Sequence, residues 1–306
     1  MNHSSDSPKT LIVIAGPTAV GKTAVAIKLA QQLNTEIISA DSRQFYREMS
    51  IGTAKPDTEE LLLAKHHFID SHSIQENFTV GDFEKQALQL LDDLFKTHDK
   101  VIMVGGSGLF IQAVTQGFDD LPTGDPPTRE RLNREFAEKG IEYLQDKLKT
   151  ADPDYYHQVD LNNPQRLIRA LEVFEATGKP FSSYRKAAVN QRPFEINKIA
   201  LNLPRERLYD RINQRVDLMV KHGLIEEAHS LLPYRHQNAL NTVGYSELFD
   251  YFDGKTDLDT AISLIKQNTR RFAKRQLTWF RKDKDIKWMM ADDPNLIAAI
   301  AQGLSY

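Results

Sequence analysis

Two textures of apolar residues alternate along the first third of the chain. Short apolar runs stand at 11–15, 36–40 and 101–104. Each fits a strand buried on both faces of a parallel sheet. Between them, 22–33 and 83–95 repeat apolar residues at helical spacing, with Val25, Ile27 and Leu29 marking the first. A further helix is expected over 109–114. Strands that alternate with helices predict crossover units and an α/β fold with a mostly parallel sheet flanked by helices. Ligands of such sheets bind beyond the C-terminal strand ends.

The texture changes after Gly117. Residues 119–127 are acidic and proline-rich, and helical spacing then recurs over 131–139, 141–148 and 164–177 with no strong strand. An apolar run at 196–203 predicts a strand returning to the core. Helices are expected again over 206–222, 225–232, 256–282 and 296–301. The division expected is a core first part at 1–118, an inserted all-helical domain at 119–195, and the rest of the core with a basic helical C-terminal region at 196–306. A single α/β domain with a helical tail fits the same pattern. No repeat period or low-complexity segment is present.

Composition adds exclusions. The chain has 306 residues, 41% of them apolar and 26% charged, the balance of an ordinary globular chain. It has no cysteine, which excludes disulfides, thiol catalysis and thiolate-bound zinc. A cytoplasmic location is expected, as are a monomer and no membrane partner: the first ten residues are polar, and no apolar run is long enough to span a bilayer. The formal charge of -3 argues weakly against nucleic acid, but local charge decides such binding.

The sharpest local signal is Gly16-Pro-Thr-Ala-Val-Gly-Lys-Thr23, which matches G-x-x-x-x-G-K-[ST] between an expected strand and an expected helix. Its glycines let the backbone turn so that amides point inward. The helix start adds unpaired N–H groups, Lys22 a positive charge, and Thr23 a hydroxyl for Mg²⁺. The motif leaves open whether phosphate is hydrolysed, transferred or released as a leaving group. Asp41 follows the second strand and should face the same crevice, as a proton acceptor, as an organiser of Mg²⁺ through water, or as a turn cap. Ser107, in the glycine-rich turn 105–108, is either a donor to phosphate or base or part of a packing turn. His66 and His67 are adjacent in an extended stretch and point opposite ways, a poor chelating pair.

Arg207, Arg211 and Arg215 share a helix face. Near the C-terminus, Lys266, Arg270, Arg271, Lys274 and Arg275 begin a basic stretch with Phe272, Trp279 and Phe280 interleaved. Cations for a phosphate backbone and rings for exposed bases fit nucleic acid; a solvated face over buried aromatics fits equally. No apolar strand ending in Asp follows the phosphate loop, which weakens a motor or GTPase reading and leaves a small-molecule kinase as the alternative.

Taken together, the phosphate loop, Ser39-Ala-Asp-Ser-Arg-Gln44, Ile51-Gly-Thr-Ala-Lys-Pro56, Gly105-Gly-Ser-Gly-Leu-Phe110, Asn163-Pro-Gln-Arg166, Val243-Gly-Tyr245 and Ala273-Lys-Arg-Gln-Leu-Thr-Trp279 form an ordered set over nearly the whole chain. The set resembles the bacterial tRNA dimethylallyltransferases, also called tRNA isopentenyltransferases. The resemblance implies a P-loop NTPase-like fold and transfer of a dimethylallyl group from its diphosphate to N6 of adenosine 37 in tRNA. It implies that the partners are dimethylallyl diphosphate and the anticodon stem-loop with adenosine at positions 36–38. The helical insertion would grip that stem-loop, and the base would flip out of its stack into a channel. By the same resemblance Gly16, Thr18, Ala19, Gly21, Lys22 and Thr23 hold diphosphate, Thr23 with Mg²⁺. Asp41 accepts the N6 proton, Ser107 keeps the hydroxyl of a usual threonine, and Arg215 steadies the leaving group. Ser42, Gln44, Gln165, Arg166, Arg169, Phe272, Lys274 and Arg275 are the expected tRNA contacts. Phe110 replaces a usual tyrosine, and Asn241 and Thr242 stand where some relatives carry arginine.

Overall fold

The structure, a computed structural model, describes residues 8–117, 122, 124–185 and 191–303. The expected boundary at 118/119 lies outside them. The chain divides into two compact units, one made of 1–115 and 192–306, the other of 116–191.

The first unit begins with β1 (Thr10–Ala15), α1 (Lys22–Leu33), β2 (Ile37–Ser39), α2 (Thr58–Leu63) and β3 (His66–His67), then α3 (Val80–Leu94), β4 (Lys100–Gly105) and α4 (Gly108–Gln116). The second contains α5 (Pro126–Ala151), α6 (Pro153–Tyr156) and α7 (Pro164–Thr177). The chain returns as β5 (Glu195–Asn202), α8 (Arg205–Lys221), α9 (Leu224–Ser230), α10 (Tyr245–Phe252), α11 (Leu258–Phe280), β6 (Lys287–Met290) and α12 (Leu296–Gln302).

Six strands form one sheet in the order β3-β2-β4-β1-β5-β6, and every pair is parallel. Successive side chains of a strand leave on opposite faces, and β1 obeys this. Ile12 and Ile14 join one core with Ala26, Leu29 and Ile212, whereas Leu11, Val13 and Ala15 join another with Phe83, Leu91 and Val114. A sheet covered on both sides needs strands that are apolar throughout, which is why β1 reads as an unbroken run. The chain crosses from β1 over β4 to reach β2, so the loops after β1, β2 and β4 gather at one end of the sheet.

A third apolar cluster sets α9 and α10 against the loop after β2, through Tyr46, Met49, Leu224, Tyr245 and Leu248. The second unit has its own core, with Leu132, Leu144, Leu148, Leu167 and Leu171 at its centre. Its long α5 contains one non-helical residue, Gly140 at φ 80°, between the two helices expected from sequence. Phe194 belongs to the first unit's core, its ring tilted against that of Phe95 with centroids 5.3 Å apart.

β3 and β6 are strands the apolar pattern did not announce. β3 has only two residues, and β6 is a largely exposed edge strand. The β3 histidines have separate partners: His66 Nδ1 lies 2.8 Å from the Ala64 carbonyl and His67 Nε2 2.5 Å from the Glu36 carboxylate.

Candidate active site

The segment Gly16–Gly21 connects β1 to α1 through backbone that few residues tolerate. Gly16 sits at φ 142°, and a Cβ there would stand 2.8 Å from the Leu201 carbonyl oxygen. Ala19 and Gly21 also take positive φ, at 63° and 106°. These turns bring the chain back over the start of α1, where N–H groups without intrahelical partners face outward.

Cations gather around this loop. Lys22, half-buried, donates to the Pro17 carbonyl at 2.9 Å. Burial lowers its ammonium from the usual lysine range to about 8; Asp41 opposes that shift and Arg215 adds to it. From α8, Arg215 Nη1 donates to the Thr18 hydroxyl at 3.2 Å, and Arg211 Nη1 donates to the Val20 carbonyl at 3.3 Å. Burial, and then Arg211, also push the Arg215 guanidinium down, with Asp41 pulling it back. Arg207, the third arginine of this face, instead pairs with Asp292. Among the described residues Lys22, Arg211 and Arg215 form no salt bridge; Asp41 acts on Lys22 and Arg215, and Glu60 on Arg215, two carboxylates against three positive groups. Such a pocket is short of negative charge.

Asp41 lies just beyond β2. Its Oδ1 accepts from the Arg43 amide at 3.1 Å, a local turn bond. A carboxylate has a second oxygen, for which no bond is recorded among the described residues. The capping and catalytic readings are therefore compatible in one side chain. Ser42 is its neighbour: the Ser107 hydroxyl accepts from the Ser42 amide and donates to the Ser42 hydroxyl, each at 3.1 Å. Gly105 makes the approach possible, because a Cβ on it would strike the Ala40 carbonyl. Phe110 packs 5.4 Å from Phe45 and 5.2 Å from Phe83, inside an aromatic cluster that gives a tyrosine hydroxyl no purpose.

Thr23 stands in the first turn of α1, half-exposed, and its hydroxyl has no recorded partner among the described residues. No cluster of three His, Asp or Glu side chains suited to a metal occurs among the described residues. A single hydroxyl fits Mg²⁺ that takes its other ligands from phosphate and water, and does not fit an all-protein cage.

The expected RNA contacts are distributed over several elements. Gln44 donates its amide to the Thr53 and Ala54 carbonyls at 3.2 and 3.0 Å, so its side chain folds the loop after β2. On α11, Lys274 and Arg275 are exposed, and the Arg275 guanidinium lies 5.7 Å from the centre of the Phe272 ring. Phe272 is 38% and Trp279 36% exposed, while Phe280 is core. Lys266 pairs with Asp217 and Arg270 bonds Asn213, which removes both from the free basic patch. In the second unit, α7 carries Gln165, Arg166 and Arg169. Arg129 bonds Gln165 at 3.1 Å, and Arg129 and Arg169 share the buried Glu172 carboxylate at 3.3 and 2.9 Å.

Sequence reasoning passed over two residues that organise this end of the molecule. Glu227 accepts from the amides of Ser50, Ile51 and Gly52 at 2.8–2.9 Å and from the Tyr245 hydroxyl at 2.6 Å. Gln276, buried on α11, accepts from the Thr18 amide and donates to the Gly106 carbonyl. Both serve motifs already visible in the sequence, and in each the signal was a polar residue on an apolar helical stripe.

The chain has clear relatives among known proteins. Residues 44–283 match the family model for IPP transferase. The chain is 59% identical over 283 residues to the tRNA dimethylallyltransferase of Christiangramia forsetii, covering 92% of this chain and 94% of that one. It resembles the solved full-length tRNA isopentenylpyrophosphate transferase of Bacillus halodurans at 39% identity and TM-score 0.71, with 97% of each chain covered. A solved eukaryotic dimethylallyltransferase acting on tRNA gives 26% identity and TM-score 0.77, over 96% of this chain and 77% of that one. The chain belongs to the IPP transferase family.

Proposed function

We propose that this protein transfers a dimethylallyl group from dimethylallyl diphosphate to N6 of adenosine 37 in tRNA, releasing diphosphate. One observation carries the reading: Lys22, Arg211 and Arg215 converge on a phosphate loop at the C-terminal end of a parallel sheet, with Asp41 beside them. The names of the relatives support the same donor and the same RNA. The kinase alternative is not favoured, since every named relative is a transferase of this type.

The chemistry follows from the charges. The C–O bond between the allyl carbon and diphosphate breaks, and a bond from that carbon to N6 forms. Negative charge grows on the departing diphosphate, which would lie beside the start of α1, Lys22 and Arg215. Mg²⁺ on the Thr23 hydroxyl supplies further neutralisation of diphosphate when bound. The adenine amine is a weak nucleophile because its lone pair is delocalised into the ring. Asp41 takes its proton on the carboxylate oxygen that the turn leaves open. Ser107, bonded to Ser42 next to Asp41 in the chain, offers its hydroxyl to the adenine. Water must be kept from the allyl carbon, and the docked RNA closes the pocket to it. Gln165, Arg166 and Arg169 of the second unit are tRNA contacts, and so, separately, are Phe272, Lys274 and Arg275 of α11. No described helix is long and apolar enough to cross a membrane.

The test is to incubate the protein with unmodified tRNA and either labelled dimethylallyl diphosphate or labelled ATP. Label from the first compound on adenine is the expected result. Label transferred only from ATP selects a kinase, and no transfer from either removes the enzyme reading.

A further inference from the structure

A primary amide inside an apolar helix face is costly unless its donors and acceptor are satisfied. The buried stripe of α11 runs through Ala261, Ile265, Ala273, Gln276 and Phe280, and Gln276 is its polar member, 6% exposed. A leucine or methionine would fill that place without the penalty. The amide is instead used at both ends: Oε1 accepts from the Thr18 amide at 2.8 Å, and Nε2 donates to the Gly106 carbonyl at 2.9 Å. Gly106 is shaped to it, since a Cβ there would lie 2.3 Å from Nε2.

The two loops joined in this way serve opposite halves of the proposed reaction. Thr18 belongs to the phosphate loop and bonds Arg215 through its hydroxyl. Gly106 precedes Ser107, which is bonded to Ser42 beside Asp41. We propose that Gln276 is a positioning residue that sets the separation between the leaving-group loop and the proton-acceptor loop. This rests on the transferase reading above. Displacing reacting groups by about 1 Å can cost a hundredfold in rate without weakening either substrate's binding. The side chain spans both loops from α11, whose exposed neighbours Lys274 and Arg275 face the RNA in that reading.

The test is a double-mutant cycle on the single-turnover transfer rate at saturating dimethylallyl diphosphate and tRNA. Gln276→Met removes the amide and both of its bonds, and Gly106→Ala displaces its Nε2 end. Each should lower the saturated rate tenfold or more, with tRNA affinity within threefold of wild type in protein that is still folded at the assay temperature. The double variant should be no slower than the slower single one. Gln276→Glu keeps the acceptor for Thr18 and carries the same test if the methionine variant does not fold. Folded variants within threefold of the wild-type rate, or losses that multiply, overturn the proposal. A wild-type protein that transfers nothing defeats the transferase reading instead, so the two failures are distinguishable.

Discussion

Lys22 shows how one side chain records the ligand its pocket was built for. Burial holds its ammonium near 8 while the loop is without an anion. A bound diphosphate gives that charge a partner and must raise the value. Affinity is then greatest below pH 8, where Lys22 is already protonated, and falls by up to tenfold per unit as pH rises through 8. Calorimetry of pyrophosphate binding between pH 7 and 9.5, without divalent metal, checks this. Lys22→Arg, whose charge does not titrate there, corrects for the titration of pyrophosphate itself, and equal slopes in the two proteins would refute it. In the proposed reaction Arg215 acts on the same anion as it departs. Arg215→Ala should slow transfer by about a hundredfold or more, the cost of losing one donor aimed at developing charge, and Arg215→Lys should restore part of it; stopped single turnovers read both. The residue types of the phosphate loop were legible because each glycine and the lysine has a role independent of the rest of the chain. Gln276 and Glu227 were less so, because a polar residue on an apolar helical stripe marks a role without naming its partners on distant loops.

At the scale of elements, the loop after β2 depends on α9 and α10. Glu227 gathers three amides of that loop, and Gly52 lies against the Tyr245 ring so closely that a Cβ would come within 2.7 Å. Burial and the Glu227 carboxylate push the Tyr245 hydroxyl far above its ordinary range, so it serves as a fixed donor. Glu227→Ala strands those donors and should cost about 3 kcal/mol or more, read as a lower midpoint in urea. Gly52→Ala overpacks the same contact and should cost about 1–3 kcal/mol. These bonds explain why Ile51–Pro56 and Val243–Tyr245 both stand out in the sequence although neither carries chemistry. Helix α1 and strands β1 and β4 were readable from local pattern because their apolar faces are complete within each element. The helix α10 and strands β3 and β6 were not. β3 is too short to show alternation, β6 is exposed at the sheet edge, and α10 acquires its meaning from Glu227 and the loop it covers.

For the molecule as a whole, a net charge of -3 conceals a surface that sorts its charges. Lys266 and Arg270 are tied to partners, whereas Lys274 and Arg275 stand exposed on α11. Neutralised phosphates make binding salt-dependent, with a slope near 0.7 per contact on single-stranded RNA. Replacing Lys274 and Arg275 together by alanine should weaken tRNA binding and flatten the plot of log affinity against log salt by about 1 to 2. An unchanged slope would remove α11 from the RNA interface. The sequence made the α/β class legible through its buried strands, but it left open whether the C-terminal aromatics were core or platform; the fold divides them, with Phe280 inside and Phe272 and Trp279 at the surface. In the proposed reaction all of these parts serve a meeting of two substrates at Asp41. Its most direct test is single-turnover transfer from labelled dimethylallyl diphosphate by Asp41→Ala, with tRNA affinity measured on the same preparation. The account predicts tRNA binding within threefold of wild type and a rate lower by about 10²–10⁴, the range for a lost general base. Transfer at near-normal speed would contradict it.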